Sequence, residues 1–224
     1  MPEKIILFPF GGNAREALGV ILDINRAQKL WDVVGFLDDN PELKGKTCEK
    51  AKVLGGREIL TKYPDAKVLA VPGNPENYLG RKDLISRLGL SEKRFASVIH
   101  PSACVFPGAH VGFNTLLSPN VVISCNARIG NHCVVLSNTV VAHDSSVADY
   151  CCLGANVSVA GNVVIESSCY IGAGANIRGG VTIGERSLVG MGSTVIGSVK
   201  KETVAVGNPA KIIRSVSEKP RRDS

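Results

Sequence analysis

Apolar positions follow two regimes along this chain. From Ile99 an aliphatic residue recurs every six positions, through Val105, Val111 and Leu117 to Val195, seventeen times without a slip. Two residues before each stands a small side chain: Ser, Ala, Thr, Cys or Val. Glycine often follows, as at Gly112, Gly130, Gly154, Gly172, Gly184 and Gly190. A period of six is neither helical nor a simple strand alternation. It predicts a triangular prism of short parallel strands, three hexads to a coil, with the aliphatic residue inward and the chain bending at small residues. Eighteen residues then make one coil, coils stack at about the 4.8 Å strand spacing, and side chains eighteen apart lie over one another. Cys133, Cys151 and Cys169 are expected as an inward column of core filler. Gly161 is expected one coil beyond His143, and the residues after Val195 are expected to cover the prism end.

Residues 1–98 lack the hexad and alternate strand with helix. "KIILFPF" reads as a strand, "GGN" as a turn, and "AREALGVILDINRA" as a helix with Ala17, Val20, Ile21 and Ile24 on one face. "VVGFL" and "KVLAVP" read as further strands, "YLGRKDLISRLGL" as a helix, and "FASVI" as a strand entering the prism. The order implies a small parallel sheet flanked by helices. The boundary is set at 98/99, giving a βαβα domain over 1–98 and a prism with its cap and tail over 99–224.

Composition narrows the classes. The 44% apolar content can bury a core, and apolar runs of about four residues are too short to span a membrane. No signal-peptide pattern precedes "IILF", so a cytoplasmic location is expected, where seven cysteines in unpatterned spacing stay reduced. The net charge of +6 is concentrated in residues 200–224, with seven Lys/Arg against three Asp/Glu. No aromatics interleave with these basic residues, which argues against nucleic acid and leaves a solvated tail or a site for small phosphates.

Two polar features stand out. Between Pro101 and Val199, a stretch with only three Arg, four Asp/Glu and three His, "VVAHDSSV" sets His143 beside Asp144 without breaking the hexad, because Val141 and Val147 keep their inward places. An exposed His-Asp pair on a solenoid is, by spacing alone, a solvated pair. Gly11-Gly12 at a helix start can present backbone amides to an anion, and Asp38-Asp39 ends the second strand, where such domains meet a ribose or base. His100, His110 and His132 are expected at the surface. Three histidines converging on a metal, as a prism hydratase needs, are not spaced for it, and no metal is expected.

The segments "FGGNARE", "GFLDDNPELKGK", "SVIHPSA", "VVAHDSSVAD", "IGAGANI" and "VGNPAK" resemble the bacterial sugar acetyltransferases of the sialic acid O-acetyltransferase type, which include N-acetyltransferases of UDP-linked 4-amino-6-deoxy sugars. That resemblance implies a Rossmann-like α/β N-terminal domain followed by a left-handed parallel β-helix, assembled as a homotrimer with sites between subunits. It implies acetyl transfer from acetyl-CoA to the amine of a nucleotide-linked amino-deoxy sugar, with His143 as general base and Asp144 orienting it. Gly161 would offer an amide to the thioester oxygen. Gly172, Ala173, Gly190 and Met191 would contact acetyl-CoA, with Lys200, Lys201, Lys211 and Arg214 for its phosphates. Gly11, Gly12, Asn13, Asp38 and Asp39 would hold the nucleotide-sugar. The chain departs from the pattern at Pro9-Phe10, at Asn13, where amino-sugar members often carry His, and at Cys152, where some carry a second His. O-acetylation of a sialic-acid-like hydroxyl and a non-catalytic trimeric binding protein remain open. So does the pathway, whether surface polysaccharide, glycoprotein glycan or antibiotic sugar.

Overall fold

The computed structural model describes residues 1–218; Lys219, Arg221 and Arg222 of the expected basic tail lie outside the described residues. The N-terminal part is a five-stranded sheet of order β3-β4-β2-β1-β5, with β1 Glu3–Phe8, β2 Trp31–Leu37, β3 Thr47–Cys48, β4 Ala51–Gly55 and β5 Lys67–Ala70. All pairings are parallel except the β3–β4 hairpin at the edge. Helix α1, Gly12–Ala27, buries Ala14, Ala17, Leu18, Val20, Ile21 and Ile24, the stripe that a 3.6-residue period selects. Only Arg81–Ser86 of the expected second helix is α-helical (α2), because Gly80 and Gly89 fall inside that span and a 3-10 turn at Tyr78–Gly80 precedes it. The hairpin of β3 and β4 was not foreseen; "TCEKAKVLG" carries no clear alternation.

From Val98 the chain winds as a parallel β-helix of two-residue strands, its three sheets six, five and eight strands wide. Register confirms the coil length: Val122 pairs with Val140, Val140 with Ser158, Ser146 with Val164 and Cys152 with Tyr170, eighteen residues apart each time. From Leu117 to Val195 the hexad aliphatics are at most 3% exposed. Ile99 and Val105, expected inward, are each 38% exposed, because they belong to the first coil and nothing in this chain lies beneath them. At the other end Val199 bridges to Ile183, and the hairpin Thr203–Gly207 with Ala210–Ser215 extends one face, setting buried Ala205 over the last coil.

The second inward position carries a hydrogen-bond ladder. Thr139 Oγ1 donates to Gly154 O at 2.7 Å and accepts from Val157 N at 3.2 Å, and Ser145 Oγ treats Ala160 O and Val163 N in the same way. Cys133, Cys151 and Cys169 continue the ladder as fully buried thiols directed at Ala148, Glu166 and Gly184 carbonyls (3.2–3.3 Å). Burial pushes the Cys133 thiol up to about 12, so it stays protonated.

Each corner is turned by one residue in the left-handed region, again every six positions: Asn114, Asn120, Asn126, His132, Asn138, Asp144, Tyr150, Asn156 and Asn162 all have φ between 51° and 63°. Asparagine and glycine tolerate this conformation best. The corners form three edges, named below by Asp144, Tyr150 and Asn156.

The N-terminal part covers the face between the Tyr150 and Asn156 edges, burying outward Leu116, Val134 and Cys152 against α1 and the sheet. Asn114 joins the two parts like an added strand residue, accepting from Ala70 N (2.7 Å) and donating to Ala70 O (2.9 Å). That pairing fixes its amide, so Asn114 Nδ2 also donates to His132 Nδ1 at 2.8 Å. His132 is therefore not at the surface as its sequence context implied. It is 6% exposed, stacked on Tyr150 at 4.7 Å and edge-on to Phe95 and Phe113, because its corner faces the N-terminal part.

Burial pushes the His132 imidazole down to about 4. A proton therefore binds the unfolded chain in preference, and the stabilisation is whole above the unfolded value near 6.5 and drains away as pH falls toward 4. Chemical denaturation should show His132→Asn, which suits the corner and cannot titrate, losing ~1–3 kcal/mol less than the native chain between pH 7 and pH 4. Equal losses would show that His132 does not govern the acid limb.

Candidate active site

His143 and Asp144 sit on the edge farthest from the N-terminal part, since the Asp144 edge is the one that does not border the covered face. Val141 and Val147 anchor the corner from inside, and Asp144 takes the left-handed φ of 57°. His143 Nδ1 lies 2.8 Å from Asp144 Oδ2. A carboxylate only accepts, so the proton resides on Nδ1 and the Nε2 lone pair faces outward. Asp144 Oδ1 accepts from Asn126 Nδ2 at 3.1 Å, one coil below. Hydrogen bonds from His143 and Asn126 hold the Asp144 carboxyl below the usual carboxylate range, keeping it anionic behind the imidazole. Asn126 was not singled out from the sequence, although its place eighteen residues before Asp144 is the signal that finds it.

The imidazole packs against Gly161 of the next coil. A Cβ there would stand 2.5 Å from His143 Cε1 and 2.6 Å from Nε2, so only glycine admits the ring in this position. Gly161 N–H donates to no acceptor among the described residues, while Gly161 O accepts from Gly180 N at 3.1 Å. Imidazole, carboxylate and a free amide are thus brought together by coil stacking alone.

Gly172, Ala173, Gly190 and Met191 lie on the Asn156 edge instead. Gly172 is required there because a Cβ would strike Met191 N and lie 2.8 Å from Gly190 C in the coil above. Met191 is 79% exposed, and the Ala173 and Met191 amides donate to no acceptor among the described residues. The lysines separate. Lys211 pairs with Val206, whose side chain packs on Gly190, and so stands near the same edge. Lys201 stacks over Gly184 on the Tyr150 edge and shares no groove with Met191 in one chain; Lys200 precedes it, exposed. Arg214 is occupied with Ser215 O (3.0 Å) and Glu218 O.

In the N-terminal part, Gly11 caps α1 and Gly12 opens it. Asp38 ties the adjacent turn to this one, accepting from Phe10 N at 3.0 Å and Asn40 N at 2.9 Å. Asp39 is engaged by Arg57, whose side chain and backbone hydrogen bonds lower its carboxyl below the usual value. Asn13 Nδ2 donates to Val71 O (3.2 Å) and Gly73 O (3.0 Å), joining the start of α1 to the segment after β5. A cavity of about 310 Å³ lies between α1 and the Asn156 edge, lined by Glu16, Gly19, Val20, Leu136 and Ala155. Cys152, at the position where a second histidine was considered, is 4% exposed beneath the N-terminal part and far from solvent chemistry. Among the described residues no three His, Cys, Asp or Glu side chains form a metal-holding group, and no helix is long and apolar enough to cross a membrane.

Comparison with known proteins adds the following. Residues 95–183 match the model of the GMPPB C-terminal domain. No curated protein sequence matches the chain. Among solved structures, the H-to-A mutant of GDP-perosamine N-acetyltransferase from Caulobacter crescentus, in complex with CoA and GDP-perosamine, is 24% identical; the match covers 96% of this chain and 98% of that one at a TM-score of 0.83. The acetyltransferase domain of PglB from Neisseria gonorrhoeae, in complex with acetyl coenzyme A, is 20% identical over 95% of this chain and 100% of its own, at 0.82. WeeI from Acinetobacter baumannii is 25% identical over 95% and 100%, at 0.78. The likeness runs through both parts of the chain, so this protein has the two-part α/β and β-helix fold of those structures.

Proposed function

We propose that the protein is an acetyl-CoA-dependent N-acetyltransferase acting on the amino group of a nucleotide-linked amino-deoxy sugar. The observation that carries this reading is the His143–Asp144–Gly161 cluster: an imidazole with a free Nε2 lone pair, an anion behind it and an open amide beside it in the next coil. The whole-chain likeness to an N-acetyltransferase crystallised with CoA and GDP-perosamine supports the choice of donor and acceptor.

Acetyl-CoA supplies a thioester already activated toward amines. His143 Nε2 takes the proton from the sugar amine as its nitrogen bonds to the acetyl carbon. Asp144 stabilises the imidazolium and holds the tautomer. The Gly161 amide faces the oxygen that gains charge. As the C–S bond breaks, the imidazolium returns its proton to the CoA thiolate. The products are the N-acetyl sugar and free CoA.

Within one chain the Gly11–Asn13 turn and His143 lie on opposite sides of the prism, and the Met191 edge is distinct from the Asp144 edge. This separation supports a homotrimer in which the Asp144 edge of one left-handed β-helix meets the Asn156 edge and the N-terminal part of the next. The free amides at Ala173 and Met191 suit the pantetheine arm, with Lys211 beside them for phosphate. Gly11 and Gly12 at the helix start suit the sugar nucleotide's diphosphate, and Asp38 holds their turn in shape.

Thiol release from acetyl-CoA over GDP- and UDP-linked amino sugars tests the reading; turnover only with hydroxyl acceptors would replace it by O-acetylation. His143→Ala should lower kcat by roughly 10²–10⁴-fold with little change in the KM for acetyl-CoA. Asp144→Asn should cost roughly 10–10²-fold in kcat, because the amide can donate to Nδ1 and push the proton to Nε2; an unchanged rate would remove Asp144 from the mechanism. Gly161→Ala should cost roughly 10²-fold in kcat by displacing the ring, while the melting temperature holds, since the added methyl meets only an exposed side chain. A collapsed melting temperature would make Gly161 a folding residue instead.

A further inference from the structure

The largest fully buried side chain among the described residues is a cation. Arg81, the first residue of α2, is 1% exposed, and no carboxylate pairs with it among the described residues. Its Nε donates to Tyr150 O at 3.1 Å and its Nη2 to His132 O at 2.5 Å. Its Nη1 has no partner and lies against Gly73, whose φ of +132° and missing side chain make the room; a Cβ there would stand 2.8 Å from Nη1. A guanidinium taken out of water without a counterion is costly. Packing alone would be met more cheaply by Met or Leu, so the fork of donors has a task.

That task is legible in what the fork joins. His132 and Tyr150 are successive corners of one edge, eighteen residues apart, and the coil running between them carries His143 and Asp144. Arg81 therefore grips both ends of the catalytic coil. On its other side it packs on Gly73, whose carbonyl accepts from Asn13, the residue that follows Gly11-Gly12. One side chain links the expected phosphate-binding turn to the height along the prism at which the base sits. In an assembly whose symmetry axis parallels the prism, a neighbour's His143 lies at that same height.

We propose that Arg81 is a positioning residue that holds the Gly11–Asn13 turn in register with the His132–Tyr150 coil, so that a nucleotide-linked sugar bound by the one reaches a base carried by the other. This rests on the acetyltransferase reading given above. Lysine has one ammonium and cannot span two carbonyls as a guanidinium does, and methionine keeps the volume without a donor.

Arg81→Lys and Arg81→Met, assayed as full-length assemblies, should raise the KM for the nucleotide-sugar about tenfold or more, methionine more than lysine, with the KM for acetyl-CoA within about twofold. A second measurement needs no turnover. Amide hydrogen exchange in Arg81→Met should quicken at residues 11–13 and at Val71 and Gly73 while the prism amides near Ile165 keep their protection. Unchanged nucleotide-sugar KM, or a parallel rise in both KM values, would overturn the proposal, as would exchange that quickens equally throughout or not at all. A native protein that acetylates no sugar would sink the functional reading instead, and the exchange pattern would still decide whether Arg81 couples the two segments. Should methionine prevent folding, the same two readouts on the lysine variant decide.

Discussion

The prism, and with it the placing of His143, depends on the backbone meeting itself eighteen residues later. Each two-residue strand is too short to stand alone, and its hydrogen bonds go entirely to the coils above and below. The inward aliphatics fill the space this stacking encloses, and Thr139, Ser145, Cys133, Cys151 and Cys169 at the second inward position each direct a hydroxyl or thiol at a carbonyl of the next coil. The corner glycines follow from the same constraint, since a Cβ at Gly154 would come within 2.5 Å of Ala173 N. Stability is thus local to neighbouring coils, and the site inherits its geometry from that stacking rather than from any loop.

The same stacking explains how a site can be built from residues that look unremarkable one at a time. His143 is an exposed side chain with 54% of its surface accessible, yet it is held on three sides by Asp144, by Gly161 above and indirectly by Asn126 below. Rigid coils set these distances, and the exposure leaves the ring open to solvent. Where the prism meets the N-terminal part, the corner rule is relaxed for a purpose. The Tyr150 edge carries His132, Tyr150, Ser168 and Arg186 in place of Asn or Gly. Of these, His132 and Tyr150 give their carbonyls to Arg81 and Arg186 gives its carbonyl to the Tyr78 hydroxyl at 2.9 Å.

Much of this was legible in the sequence, and the reasons differ by element. The hexad fixed which residues face inward because burial and spacing are the same fact in a solenoid, and the stacking of Gly161 on His143 followed by arithmetic. Ile99 and Val105 broke the pattern because periodicity does not say where a stack ends. His132 was misplaced because a corner side chain points outward from the prism, and outward here means into another part of the chain. Arg81 was invisible for the same reason: "GRKDLIS" looks like an ordinary polar helix start, and only the tertiary arrangement buries its guanidinium. The sequence carries one further signal, an Asn or Gly every sixth residue, whose exceptions other than Asp144 mark the docked edge. Asp39 and Asn13, read as ligand contacts, are found holding Arg57 and the Val71–Gly73 segment, so any contact they make with a nucleotide comes in addition to that work.

The left-handed corner at Asp144 also makes the prism an indexing device. Each hexad advances the chain by one edge, a third of a revolution. Removing six residues from an earlier hexad would leave every later aliphatic inward and every later corner in its preferred conformation. It would nonetheless carry His143 from the open edge to a neighbouring one. The prism interior is blind to such a change, but the face docked against the N-terminal part and the corners held by Arg81 are not, so the chain length before His143 is set by which edge faces where, in quanta of a full coil.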